Sequence, residues 1–427
     1  MKLNYRQTIL VGFAFLSICS FWQMYDNLVP LILKNNFGIG DTLSGFIMAL
    51  DNILAVFLLP LFGALSDKVN TKLGRRTPFI LVGTVLAVIF MLLIPYAANA
   101  QLLWLFFITL GMTLFSMGIY RSPAVALMPD VTPAALRSKG NAVINLMGAL
   151  GGIYTLVVTK LLIQGSGVQD YTPVFFAVAV LMLLSVALLI LTIRENKLRI
   201  SDIKPELETK TETEPKEKKK AEKLPPEVMR SLIFILLSVF LWFMGYNAVT
   251  TAFTKYAEAS WSMNVGAAST CLLVATGGAI ISYIPVGFVS SKIGRKKVIL
   301  AGVLVLALCF GSGFFFTEFS PALYLIFALI GIAWASINVN SYPMVVEMGN
   351  AEDMGKYTGY YYTFSMLAQI ITPIVSGALL EFVGYWTLFP YAALMVAGAF
   401  VTMYMVKHGD NRPDLPSDKL ELLGAED

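Results

Sequence analysis

Residues Gly63 to Phe79, GALSDKVNTKLGRRTPF, place a basic hairpin between two long apolar stretches. The hairpin has a shortened echo at Gly287 to Lys297, GFVSSKIGRKK. Aligned on their shared Gly-Arg pair, Gly74 and Arg75 correspond to Gly294 and Arg295, 220 residues later. Other segments keep this offset. Trp22-Gln-Met-Tyr-Asp-Asn27 aligns with Trp242-Phe-Met-Gly-Tyr-Asn247, and Tyr120-Arg-Ser-Pro123 aligns with Asn340-Ser-Tyr-Pro343. Self-similarity at a fixed offset reads as two related halves of one architecture.

Composition says where such a chain lives. Of its 427 residues 57% are hydrophobic and only 14% charged, too apolar for a water-soluble globule. Apolar runs of about 20 residues or more recur, each long enough to cross a bilayer as a helix. They are continuous and not alternating, which favours helices over a barrel. The expected spans are 8–34, 42–66, 78–98, 102–129, 138–164 and 172–193, then 230–256, 264–290, 297–317, 321–347, 356–382 and 385–406. The fold class is therefore an all-α membrane protein of twelve transmembrane helices in two pseudo-symmetric six-helix bundles. Residues 1–193 make the first bundle, 194–229 a charged linker, 230–407 the second bundle and 408–427 a polar tail. The short basic start reads as the head of a retained first span and not as a cleaved leader.

Lysine and arginine set the orientation. Lys68, Lys72, Arg75, Arg76, Arg137, Lys139, Lys292, Arg295, Lys296, Lys297 and Lys356 fall on one side, against only Lys34, Lys160 and Lys255 on the other. By the positive-inside rule both termini are cytoplasmic, in the plasma membrane. The linker, including Lys216 to Lys223, mixes both charges with Pro and Thr and reads as a solvated tether, with a lipid head-group role as the alternative. The net charge of +4 does not imply nucleic acid. Cys19, Cys271 and Cys309 sit singly in apolar runs, which suggests neither a disulfide framework nor a metal. The single histidine, His408, lies in the tail, and there is no GK[ST] phosphate loop or metal-ligand cluster, so an enzyme or an ATP-driven pump is not expected. No cofactor is implied.

The hairpin also carries a family resemblance. Gly63-x3-Asp67-Lys68 followed by Gly74-Arg75-Arg76 resembles the loop between the second and third helices of major facilitator transporters. Their pattern leaves one residue between the basic residue and the second glycine, as Lys292-Ile293-Gly294 does. In the first half five residues intervene, and Arg75-Arg76-Thr77-Pro78-Phe79 then resembles the sucrose-transporter and glycoside-pentoside-hexuronide branch. That resemblance implies two bundles related about an axis along the membrane normal, with a substrate cavity between them. Tyr120 to Asp130, YRSPAVALMPD, is similar to the Gly-Pro-x-Arg-Ala-Leu-x-x-Asp stretch of plant sucrose transporters. Val125 stands where those carry arginine, Thr113 where they carry an aspartate, and Arg121 is displaced by one turn, so their coupling pair does not transfer.

A charge in the middle of a spanning helix costs about 2.5–3.5 kcal/mol on insertion scales and so needs a reason. Asp26, Asp51 and Arg121 stand well inside the spans. An acid that moves between a dry environment and one beside a cation can take up and release a proton. Proton coupling is therefore assigned to Asp26 or Asp51 with Arg121 as the cation, against a purely structural hydrogen-bonding or snorkelling role. Substrate contact is assigned to Trp22, Asp26, Asn27, Tyr120, Arg121, Asn145, Tyr246, Asn247, Trp334, Asn338, Asn340, Tyr361 and Gln369. Aromatic faces beside polar side chains suit a hydroxyl-rich ligand; the same residues can simply glue helices together. Asp67, Arg75 and Arg76, with Asp130, Arg295 and Glu347 at inner helix ends, read as a gate or as topology determinants alone. The expected function is secondary transport of a sugar or glycoside, a disaccharide such as sucrose or maltose, in symport with protons. The partners are the sugar, protons and the bilayer, and the protein acts as a monomer. A proton-linked exporter of amphipathic compounds and a non-transporting sugar sensor are the alternatives.

Overall fold

The computed structural model describes residues 4–132, 137–198, 225–348 and 354–410. Within them the chain is helical, and twelve helices are long and apolar enough to cross a membrane. They are α1 Tyr5–Asn35, α2 Asp41–Lys68, α3 Thr77–Asn99, α4 Leu103–Val131, α5 Arg137–Leu162 and α6 Thr172–Thr192. The second set is α7 Pro226–Trp261, α8 Val265–Ile293, α9 Arg295–Gly313, α10 Ala322–Val346, α11 Met354–Phe382 and α12 Leu388–Tyr404, the last entered through a 3₁₀ turn at Tyr385–Thr387. The end carrying the basic loops is called the inner end below, and the opposite one the outer end.

The outside of the molecule is apolar. Leu191 is 81% exposed and Ile281 76%, with Phe57, Leu184 and Leu394 also projecting outward. Surface of this kind is stable only against lipid. Inside, two large hydrophobic cores form, with a smaller third cluster around Tyr283 and Val339. One large core is built almost wholly from residues of α1 to α6, the other from α7 to α12. Glycine lets the halves touch: at the α2–α11 crossing a side chain on Gly45 would collide with the Pro373 carbonyl, and one on Gly377 with the carbonyl of Asp41. Such close backbone approach is a membrane-helix device, because lipid offers no hydrophobic force to press helices together.

Several expectations change at the ends of elements. Helix α7 starts at Pro226 and runs to Trp261, longer at both ends than 230–256. Proline at the first turn of a helix loses nothing, since its missing N–H has no partner there anyway. Helix α9 stops at Gly313, short of 317. The segment expected to be a tether begins with an ordered single-turn helix, Glu195–Leu198, in which Glu195 is fully buried. Residues 199–224 of the linker, with Lys216 to Lys223, and the tail beyond Asp410 lie outside the described residues.

Tyr120 is the clearest correction. It sits in the first bundle's core, wholly buried, where its hydroxyl donates to the Ala14 carbonyl at 2.9 Å and bonds Ser17. With its hydroxyl used inside the core, Tyr120 is not placed to contact a ligand. Tyr120→Phe is expected to cost about 1–2 kcal/mol of stability, because buried partners lose their donor. The measurement is the unfolding midpoint of the detergent-purified chain; an unchanged midpoint would contradict this core role.

Candidate functional site

The polar cluster of the first bundle forms around α1. Trp22 packs edge-on against Phe21 and Tyr25, which holds its ring in place. The Arg121 guanidinium of α4 lies over that ring, 5.7 Å from its centroid, within range of a cation–π attraction. Asp51 of α2 is within reach of Arg121's charge and accepts a hydrogen bond from the Asn52 amide at 2.8 Å. Asp26 in turn feels the charge of Asp51. Asp26, Asp51 and Arg121 are each half-buried. Next to them Asn27 is 1% exposed; its Oδ1 accepts from Thr254 of α7 at 3.4 Å, and its Nδ2 has no acceptor. The Trp22 indole N–H is also without one. A site with unused donors and unpaired carboxylate oxygen suits a ligand rich in hydroxyls.

The second bundle contributes an aromatic platform. Tyr246 of α7 and Trp334 of α10 stack with centroids 3.6 Å apart and planes 2° from parallel, and Phe243 meets Trp334 edge-on at 5.3 Å. Asn247, half-buried, has an Nδ2 with no acceptor. Asn145, Asn338 and Gln369 are half-buried on α5, α10 and α11, and Gln369 reaches the Ser365 carbonyl at 3.4 Å. Two expected ligand contacts are instead used within the bundle. Asn340 is 1% exposed and donates to the Ser336 carbonyl at 2.9 Å, while the buried Tyr361 hydroxyl bonds Ser341 at 3.0 Å. Their four-residue spacing from polar neighbours gave no means of telling a cavity face from a helix–helix seam.

At the inner end, the expected gate residues pair within their own bundles. Arg76 reaches Asp67 at 2.6 Å and Asp130 at 2.9 Å, and its Nη1 donates to Ser66. Arg295 pairs with Glu347. Arg75 is held through its backbone N–H, which donates to Glu195 at 2.7 Å.

The outer end is where charged groups join the bundles, through residues that the sequence either does not mark or, for Lys34 and Lys255, marks only for orientation. Lys255 of α7 contacts Asp41 of α2 at 2.7 Å with both side chains at least nine-tenths buried. The Tyr385 hydroxyl donates to the other oxygen of Asp41, also at 2.7 Å, and Lys34 lies over the Tyr385 ring. Glu381 of α11 accepts from the backbone N–H of Thr42 at 2.7 Å, where α2 has no side-chain cap of its own. Glu258 accepts from Asn35 at 3.0 Å and from the Gly167 N–H. Each of these carboxylates takes donors from the opposite half, so the outer end is sealed by bonds that separation of the halves would break. Asp41 and Lys255 offered a faint signal, being charges within a turn or two of helix ends on the side poor in lysine and arginine.

Breaking a buried pair by removing one partner leaves an uncompensated charge and is strongly unfavourable. Lys255→Met is therefore expected to unseal this end. A cysteine placed at Thr251, in a background with Cys19, Cys271 and Cys309 replaced by serine, would react about tenfold faster or more with a membrane-impermeant thiol reagent. The charge swap Asp41→Lys with Lys255→Asp would bring the rate back down. Equal rates in all three proteins would refute the seal.

The Major Facilitator Superfamily model matches residues 11–284 and 235–424. An uncharacterized MFS-type transporter of Methanocaldococcus jannaschii is 25% identical over 381 residues, covering 88% of each chain. A sucrose transport protein of Arabidopsis thaliana is 30% identical over 151 residues, 31% of this chain and 25% of that protein. Proton-associated sugar transporter A of Mus musculus is 32% identical over 171 residues, 37% of this chain and 22% of that one. Among solved structures, the nucleoside transporter NupG covers 95% of this chain and 100% of its own at TM-score 0.67 and 17% identity. A POT family transporter covers 94% and 95% at TM-score 0.70 and 12% identity. The structural likenesses show the fold alone. With the family model spanning both halves and twelve helices fit to cross a bilayer, the chain belongs to the Major Facilitator Superfamily and is a multi-pass membrane transporter.

Proposed function

We propose that this transporter moves a sugar or glycoside, with a disaccharide such as sucrose or maltose as the first candidate, by alternating access in symport with protons. The observation that carries the reading is the grouping of Asp26, Asp51 and Arg121 beside Trp22 in the interior of a membrane protein. Intramembrane charge is retained where it works, and two acids beside one cation can exchange protons with water. The Tyr246–Trp334 platform offers a flat apolar face to the C–H side of a sugar ring, while the unused N–H groups of Trp22, Asn27 and Asn247 suit its hydroxyls. Sugar-transporting relatives are consistent with this choice.

In this reading the bonded outer end corresponds to an inward-facing state; the bias of lysine and arginine supports an inner end toward the cytoplasm with both termini on that side, and the plasma membrane is the proposed location. The proposed working unit is the monomer, one pair of bundles forming one carrier. Protonating an acid removes a charge whose surroundings differ between the two states, and that difference links ion flow to reorientation. A second reading, proton-linked export of amphipathic compounds, is favoured by one relative: the chloramphenicol resistance protein of Acinetobacter baumannii is 26% identical over 44% of this chain. The two readings differ in the direction of flux and in the effect of a sugar on it.

The test is uptake of labelled sucrose and maltose into vesicles holding the purified chain. With one proton per sugar, a gradient of one pH unit, acid outside, sustains about tenfold accumulation at equilibrium. Asp26→Asn and Asp51→Asn, made separately, would show which acid couples: that variant keeps sugar exchange and loses accumulation. Uptake by active protein that ignores the gradient would remove proton symport, and efflux of amphipathic compounds with no sugar flux would favour the exporter.

A further inference from the structure

The two acids that follow the bundles are the strongest unexplained feature. Glu195, just past α6, is fully buried, although it belongs to a segment rich in charged residues. Its carboxylate accepts from the backbone N–H groups of Arg75 at 2.7 Å, Arg76 at 3.0 Å and Thr77 at 3.0 Å, and from the Thr77 hydroxyl at 2.8 Å. These are the donors at the start of α3, a helix with no side-chain cap of its own. Such groups otherwise lack partners, and the positive end of the helix dipole favours an anion there. Gly74, at φ +122°, leaves the space the carboxylate occupies; a side chain at that position would strike it. Asn196 completes the contact by donating to the Thr71 and Lys72 carbonyls at 2.9 and 3.2 Å.

The second half repeats the arrangement with different residues. Asp410, past α12, accepts from the Lys296 N–H at 2.8 Å at the start of α9, again without a side-chain cap of its own and again beside a glycine of positive φ, Gly294 at +96°. Glu195 and Asp410 are 215 residues apart, within the range by which α6 and α12 are themselves offset, 216 residues at their starts and 212 at their ends, so the two acids hold corresponding places in the two halves.

We propose that Glu195 and Asp410 are positioning residues for the inner gate: each ties the segment leaving its bundle to the basic loop and holds that loop in the shape it needs to close. Arg76 is the link, with its backbone fixed by Glu195 and its side chain by Asp67 and Asp130. In the inward-facing state these bonds lie within one bundle. Closing the inner end requires the loop to meet the other half, and a preorganised loop does so at lower entropic cost. Loss of either cap therefore biases the protein further toward the inward-facing state. The inference rests on alternating access and on no particular substrate.

The test needs no ligand. In the full chain, reconstituted in lipid nanodiscs with the Thr251→Cys reporter, outer-end labelling reads the outward-facing population. Glu195→Gln and Asp410→Asn are each expected to slow labelling about fivefold, following the shift in population. Glu195→Gln combined with Arg76→Ala should slow it no further than Arg76→Ala alone, because both act through one loop. A purely stabilising role would lower the unfolding midpoint and leave the labelling rate native. Native or faster labelling in the folded variants overturns the proposal. Where Glu195→Gln does not fold, the exposed Asp410→Asn alone decides, by the same criterion.

Discussion

Inside a bilayer, a polar group must find a partner in the protein or a wetted surface, because lipid offers neither hydrogen bonds nor a high dielectric. That constraint sorts the polar residues of this chain into three sets. Tyr120, Asn340 and Tyr361 meet it within one bundle and act as structure. Asp41, Lys255, Tyr385, Glu258 and Glu381 meet it across the bundles at one end, and so tie conformation to charge pairing. Asp26, Asp51 and Arg121 meet it only in part: Asp51 takes the Asn52 amide and Arg121 lies over the Trp22 ring.

The two ends of the molecule solve the closing problem differently. The outer end uses a buried ion pair with close glycine contacts, and the α2–α11 crossing brings Asp41 against the opposite half. The inner end instead keeps its strongest bonds inside each bundle, where Arg76 and Arg295 find acids of their own half. A seal that breaks on opening and a loop that is held ready for closing are complementary requirements of a two-state carrier.

Much of the fold was legible from residue order. Continuous apolar runs, the bias of lysine and arginine and the 220-residue offset lead to twelve helices, because bilayer thickness fixes the length of a span. Element ends were less legible. Pro226 starts its helix early for lack of a cost, and Glu195 looked like part of a polar tether because its donors lie 118 to 120 residues away. Of the site, the lone interior charges were visible, since each is rare in its setting. Which face of a helix meets the cavity was not: Tyr120 adjoins Arg121 yet points into the core. The outer seal was missed for a related reason. Charges near helix ends are ordinary, and only the fold shows that Asp41 meets a lysine 214 residues away.

The central claim is that Asp26, Asp51 and Arg121 face a wet space between the bundles that opens at the inner end. It is tested most directly by a single cysteine at Asn338, beside that space on α10, probed in oriented membranes with an impermeant thiol reagent applied to one side at a time. The account predicts rapid labelling from the inner side and little from the outer side while the Asp41–Lys255 pair is intact. Labelling from neither side would mean a dry seam between the halves, and would contradict it.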